Sequence, residues 1–584
     1  MIKNIIKKLK QEENCIWALG LAVFLCAGIS IFFDYYYAIN DDLVMKDILS
    51  GAYTGVPEGR NIQMLFPLGW LISILYRVAR NLPWYGIFLC VCHFGCIFLF
   101  TKRLLSFFHK TWTKAVAVVL ETGLIVTLLL YELVFVQYTV TSAILASTAA
   151  FLFYTADSSG TVKDFFCRNI GSIVLAVVAF QMRTEMLLLL LPLICVTGLC
   201  RWACEKPFFT KENAAKYFSV LGGILAGMLL SQGVHMAAHA GEDWQQFNHF
   251  FDSRTQLYDF LWKWHPGYEG NEAFYDSIGM TANSQMLIEN YNFGLDETID
   301  AGILDKINEN ANERRKEQVS IAETLKQAFA NYVYRTLHRA DFPWNLFVII
   351  LYIMVFAYTM GNRHLRFIWE LACLAVVRTG LWMFVFYRGR VLERITHPLY
   401  LMEFTILIAF LLVECKNTGK VFSYLKAGIT GVLLALCLFL IQGSVEKSME
   451  EYVRKESVYK EWEALQAYLN DNGDCFYFMD VYSWSKYTDK MFVNVDNSIQ
   501  NYDIMGGWIS KSPLTEEKYR YYGMATMEQA LLEAPNVYII NKGEDWNWLT
   551  GYYADKGITV SMLKIDSILT DDVEFLGVYK VTKE

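Results

Sequence analysis

The chain has 584 residues, 54% hydrophobic and 19% charged, with a mean hydropathy of +0.26. A soluble protein of this length would divide into about four domains, and this composition is too apolar and too poor in charge for that. The net charge of −8 is unevenly held: residues 445–584 carry 14 Lys/Arg against 24 Asp/Glu, so an acidic, water-soluble tail follows a slightly basic apolar body, which excludes a nucleic-acid footprint.

In chain order, a basic leader (Lys3, Lys7, Lys8, Lys10) precedes an apolar run from Cys15 with no small-residue cleavage site, the pattern of an uncleaved signal anchor. A bilayer core needs about 20 apolar residues of helix. Further qualifying runs start near Leu82, Ala115, Tyr138, Met186, Ala215, Pro343, Phe367, His397 and Ala427. A shorter run, 169–182, leads through Arg183 and Glu185 into the Met186 run, so those charges mark a tight turn. The pattern predicts about 11 transmembrane helices.

Segment 62–76 is apolar but would reach only about 22 Å as a helix, and it carries Pro67 and Gly69. With this segment lying at the outer interface, the short inner loops hold 19 Lys/Arg and the short outer loops 8; with it crossing, the counts become 10 and 17. The positive-inside tendency favours the first arrangement. The amino terminus is then cytoplasmic, and the loop 38–82, the Arg183 turn, the loop 235–341 and the tail all lie outside.

Most of the 13 cysteines fall in apolar runs, where a thiol acts as a small hydrophobe. The tail has only Cys475, so no internal disulfide can staple it.

The first outer loop opens with Asp41 and Asp42, adjacent carboxylates close to the membrane surface. Partial burial beside a cation would suit one of them to general-base work. The plainer reading is a helix cap, with Asn40 or Asp41 capping a helix over 43–49. Basic residues concentrate on the same side: Arg77 and Arg80 close the first loop, Arg183 sits at the turn, and Arg388, Arg390 and Arg394 occupy 387–396. Arginine forks bind phosphate bidentately, which makes a lipid-linked phosphate the natural anion; singly, each arginine is equally explained by snorkelling at the interface.

An anchor helix, an outer loop opening on Asp-Asp, a short apolar segment ending in arginine, an arginine at a later turn, and Tyr-Arg-Gly-Arg-Val-Leu-Glu-Arg (387–394) before a late helix resemble the GT-C superfamily. The resemblance implies an integral-membrane glycosyltransferase using polyprenyl-phosphate sugars, in a GT-C-like polytopic α-helical fold over 1–443 with a soluble extracytoplasmic α/β domain over 444–584. It assigns the role of base or acceptor-positioning acid to Asp41 or Asp42, and phosphate contacts to Arg77 or Arg80 and to Arg390 or Arg394. Several family members carry Asp-Glu and then a Pro-Pro pair, whereas this chain has Asp-Asp and a lone Pro67, which leaves the catalytic aspartate undecided. The chemistry needs no nucleotide, and neither GxxxxGK[ST] nor GxGxxG after a strand occurs.

In the large outer loop, Trp244, Asp252, Arg254, Tyr258 and Asp259 combine aromatic faces with hydrogen-bonding groups, as a sugar or acceptor site does; an interfacial aromatic belt would show the same residues. Residues 295–330 read as a charged amphipathic helix, a solvated lid or brace. His235 and His239 have i, i+4 spacing but no evident third ligand, so no metal site is assigned; no cofactor is called for, and divalent-metal dependence stays open. The tail reads as an amphipathic helix over 445–469, strands near 475–481, 537–540, 558–565 and 575–581, and a helix over 527–533 capped by Thr526. Asp480, Trp484, Asp503 and Trp508 could touch an acceptor glycan or serve turns and core.

The expectation is therefore a glycosyltransferase of the bacterial cytoplasmic (plasma) membrane, with a polyprenyl-phosphate-linked sugar and membrane lipid as partners and a cell-surface glycan, lipid or protein as acceptor. Two other classes fit the same outline: a lipid-linked saccharide flippase or polysaccharide exporter, against which stands the scarcity of charge within the spans, and a non-catalytic membrane scaffold.

Overall fold

The computed structural model describes residues 2–205, 207, 209–362, 366–416, 423–493 and 497–584. The amino-terminal part is helical apart from two two-residue strands, β1 (Tyr36–Tyr37) and β2 (Phe135–Val136): α1 (Ile2–Phe32), α2 (Asn40–Ser50), α3 (Phe66–Val78), α4 (Trp84–Leu105), α5 (Thr111–Val134), α6 (Tyr138–Tyr154), α7 (Val162–Arg168), α8 (Ile170–Met182), α9 (Thr184–Ala203) and α10 (Lys211–Ala238). The large loop forms α11 (Glu242–Thr255), a π-helical turn (Gln256–Leu261), α12 (Glu272–Ser277), α13 (Ala282–Glu289), α14 (Ala301–Gln318) and α15 (Ile321–Leu337). Then follow α16 (Trp344–Asn362), α17 (Arg366–Arg388), α18 (Glu393–Lys416) and α19 (Ser423–Asp471).

Among the described residues eight helices are long and apolar enough to cross a membrane, and α7 with α8 makes a ninth candidate bent by 52°. The shorter apolar helices α6 and α16 occupy the two remaining predicted spans, and α6 is almost wholly buried against α4, α8, α9 and α18. The ambiguous segment is α3, 13 residues long. Gly59 and Gly69 pin it to the first loop: a Cβ on Gly69 would stand 2.2 Å from the Gly59 carbonyl oxygen, so only glycine permits this contact.

One sequence expectation is corrected and another is extended. Residues 295–330 are not one solvated helix: α14 and α15 break at Val319 and Ser320, α15 packs on α17, and it exposes an apolar row of Ile321, Leu325, Phe329, Val333 and Leu337. The helix expected over 445–469 is the far end of α19, which runs unbroken for 49 residues from the last apolar span, so the boundary at 443/444 falls inside a helix.

Beyond it lie β3 (Phe476–Met479), α20 (Val481–Trp484), β4 (Tyr502–Ile504), α21 (Pro513–Tyr521), α22 (Met527–Glu533), β5 (Val537–Asn541), α23 (Asn547–Asp555), β6 (Val560–Thr570) and β7 (Val573–Lys583). The sheet order is β4-β3-β5-β7-β6, parallel among the first three strands and antiparallel beyond. Asp571 and Asp572, both at positive φ, make the tight β6–β7 turn. Thr526 caps α22 by accepting from the Gln529 amide.

The tail grips the start of the loop between α1 and α4. β1 (Tyr36–Tyr37) pairs parallel with β2 (Phe135–Val136) on one side, while on the other the Tyr37 amide donates to the Asp489 carbonyl (3.0 Å) and the Met491 amide to the Tyr35 carbonyl (2.8 Å). One core cluster runs from α1 through α2 and the large loop into the tail sheet.

Candidate active site

The helix carrying the paired aspartates starts earlier than predicted, at Asn40, and neither Asn40 nor Asp41 caps it: the capping position is Ile39, without a side-chain bond. Asp41 and Asp42 therefore occupy the first turn, where the helix dipole favours negative charge. Successive helical residues point about 100° apart, and the pair is separated accordingly.

Asp42 faces inward. It is fully buried, its Oδ1 accepts from the Tyr85 hydroxyl (2.7 Å) and the Tyr138 amide (3.3 Å), and its Oδ2 has no partner. Burial pushes its carboxyl up to about 8, against the lowering pull of the Tyr85 hydrogen bond. Asp41 is left partly accessible. About 24% of its side chain is accessible, it accepts no hydrogen bond from a described residue, and its nearest cation is Arg394, with Nη1 3.9 Å from Oδ2. Burial raises its carboxyl too; Arg394, Arg183 and Arg254 pull it down, and Asp259 pushes it up.

Those three arginines, with Arg388 and Arg390, come from four places in the chain. Arg183 stands in extended backbone (φ −156°) at the α8–α9 joint, where the predicted tight turn falls. It pairs with Glu185 (2.9 Å), donates to Gln63 Oε1 and lies over the Tyr138 ring. Gln63 Oε1 also accepts from the Tyr138 hydroxyl (2.9 Å), tying the arginine to the start of α6.

Arg254, near the end of α11, stacks over Tyr258 and Phe293, makes no ion pair with a described residue, and has a buried Nε without a partner. Such an orphaned donor is costly unless a ligand or solvent satisfies it. Arg390 pairs with Asp259 of the π-helical turn, and Arg388 and Arg390 both lie over Phe260. Arg394 opens α18, and a turn further on His397 Nδ1 meets Glu132 of α5 at 2.8 Å, a buried pair bracing this end of the bundle.

The structure thus brings together Asp41, Arg183, Arg254, Asp259, Arg390 and Arg394, with Arg388 at the exposed edge. It leaves out others. Arg77 donates to the Pro57 carbonyl (2.9 Å), and Arg80 to the carbonyls of Gly55 (3.1 Å) and Asn497 (2.7 Å), so both guanidiniums brace the first loop.

Trp244 is buried against His239 and Phe247 beneath Arg60, which removes it as an open sugar platform. Tyr258 spends its hydroxyl on the Ile288 carbonyl (2.7 Å) and stacks on Tyr291. Asp252 sits on the exposed face of α11. Trp484 and Trp508 are tail core, Asp480 caps α20, and buried Asp503 accepts from the Tyr53 hydroxyl. His235 Nδ1 accepts the Phe66 amide (3.0 Å), and no group of three or more metal-ligating side chains occurs among the described residues. Sequence reasoning missed Gln63, Tyr85 and Tyr138, which orient the charged groups; no spacing in the chain links them to Asp42 or Arg183.

No protein-family profile matches the chain. No curated protein matches it. Two solved structures are similar to it: ArnT from Cupriavidus metallidurans in the apo state and the same protein bound to undecaprenyl phosphate, each at 10% identity and a TM-score of 0.39, over 96% of this chain and 97% of that one.

Proposed function

We propose that the protein is a membrane glycosyltransferase that takes a sugar from a polyprenyl-phosphate donor and passes it to a cell-surface glycan, lipid or protein on the outer face of the cytoplasmic membrane. The observation that carries this reading is the contrast within one helical turn: Asp42 is sealed, while Asp41 stays partly accessible within the electrostatic reach of Arg394, Arg183 and Arg254, the last of which has no acidic partner among the described residues.

This group of charges has two complementary parts. Asp41 would accept the proton of an acceptor hydroxyl as its oxygen attacks the anomeric carbon, and burial, which raises its affinity for protons, strengthens it as a base. Arg254, Arg390, Arg394 and Arg183 would hold the departing phosphate, whose negative charge grows as the glycosidic bond breaks; fixed cations at that position stabilise the transition state more than the ground state. Arg390 is engaged with Asp259, which competes with phosphate for its charge.

The test uses purified protein in lipid nanodiscs with radiolabelled polyprenyl-phosphate sugars. Wild type should release or transfer sugar and Asp41→Asn should not. Binding without cleavage across a panel of sugars would favour the transport reading instead, and no binding would remove the arginine argument.

A further inference from the structure

Lys455 lies on α19, twelve residues beyond the last apolar stretch, with its side chain buried. It makes no ion pair with a described residue. Its ammonium donates to the Ala38 carbonyl (2.8 Å) and to Thr488 Oγ1 (3.1 Å). Burying an ammonium without a carboxylate is costly, and an unbranched apolar side chain would fill the same space without that cost. What the charge provides is a strong, directed hydrogen bond to the backbone three residues before Asp41.

The neighbouring tail residues hold the same stretch on both flanks. Upstream of Asp41, segment 489–491 meets β1 through a single antiparallel bridge, Tyr36 opposite Lys490, and Lys490 also bridges Asp34 (2.8 Å) and Glu456 (2.7 Å). Downstream, Lys46 of α2 donates to Asp489 (2.8 Å) and pairs with Asp47 (3.2 Å). The start of α2 is thus suspended between two tail contacts, with β2 behind it, where the Ala38 amide donates to the Val136 carbonyl.

We propose that Lys455, with the segment Thr488 to Met491, is a positioning device that sets the direction and height of the α2 amino terminus, so that the C-terminal domain is part of the unit that aims Asp41. The inference rests on the reading of Asp41 as the base. It gives the tail a function that acceptor recognition does not require.

The experiment compares wild type, Lys455→Met, Lys455→Arg and Asp489→Asn as full-length protein in nanodiscs, by donor turnover and by amide hydrogen exchange. Lys455→Met should lower kcat at least tenfold with the KM for the donor unchanged, and should speed exchange at 38–45 while leaving strands 476–479 and 537–541 protected. Lys455→Arg should restore most of both, and Asp489→Asn should show a weaker form of the same pattern.

Wild-type kcat and exchange in Lys455→Met would overturn the proposal. So would loss of protection across the tail sheet with a rising KM, because that is general destabilisation. Should wild type turn over no polyprenyl-phosphate sugar, the functional reading fails, and exchange at 38–45 still decides whether Lys455 orders α2.

Discussion

The separation of Asp41 from Asp42 is most sharply tested through Asp42→Asn. In the folded protein burial lifts the Asp42 carboxyl from its ordinary 3.8 to about 8, so the folded state holds a proton that the unfolded chain has already lost at neutral pH. The sign follows from linkage: the stabilising proton is fully present below 3.8, and its contribution is lost as pH rises through 8. At pH 7 the unfolded carboxyl lies about three pH units above its own midpoint, while the folded one is mostly neutral. That difference corresponds to about 4 kcal/mol of stability lost relative to acid conditions.

An asparagine keeps the oxygen that accepts from Tyr85 and Tyr138 and places its NH2 where Oδ2 already lacks a partner, so it mimics the protonated acid without ionising. Thermal unfolding in detergent, followed by tryptophan fluorescence between pH 5 and 8.5, should show wild type losing stability with rising pH and Asp42→Asn losing markedly less. Donor turnover should persist in the variant. An unchanged pH slope, or a variant that folds and binds donor yet has no turnover, would refute the assignment of Asp42 as a sealed structural carboxyl.

Asp41→Asn should fold and bind polyprenyl phosphate as wild type does, while kcat falls by about 100-fold or more, the scale of a lost general base. Arg254→Met and Arg394→Gln should each lower kcat/KM for the donor by about 10- to 100-fold, with a rise in donor KM as part of it, the loss expected for a charge-assisted phosphate contact that strengthens in the transition state. Asp259→Asn should tighten binding of polyprenyl phosphate, measured by titration in nanodiscs, because it frees Arg390; with both groups partly exposed the pair is worth at most about 1 kcal/mol, or about fivefold in affinity. Arg80→Gln loses two bonds to loop carbonyls and should lower the unfolding temperature with no change in donor KM, the reverse of the Arg254 result.

The spans, the half-length helix ending near Arg77 and the strands of the tail were legible in the chain because they depend on local quantities: run length, alternation, and caps such as Thr526. β4 was not, because three residues give no period to read. Nor was the join between membrane body and tail, since α19 continues through a change from apolar to charged composition without a break in backbone hydrogen bonding. Sequence placed Asp41, Arg183, Arg390 and Arg394 on the outer side and offered Arg77, Arg80 and Trp244 on equal terms.

Only tertiary structure separated them. Two adjacent aspartates carry the same local signal, and the side of a helix that lies buried depends on what packs against it: Tyr85 and Tyr138 close over Asp42, and Arg394 and Arg254 come to Asp41 from parts of the chain more than 200 residues away. Arg80 looks like a phosphate ligand until its guanidinium is seen on the carbonyls of Gly55 and Asn497. Composition and periodicity determined that the chain is built around apolar helices and ends in a small α/β sheet, because burial of apolar surface is set residue by residue. Which charges meet was decided by long-range packing, because the partners of a buried or recessed ion are chosen in space and leave no mark on the spacing of the chain.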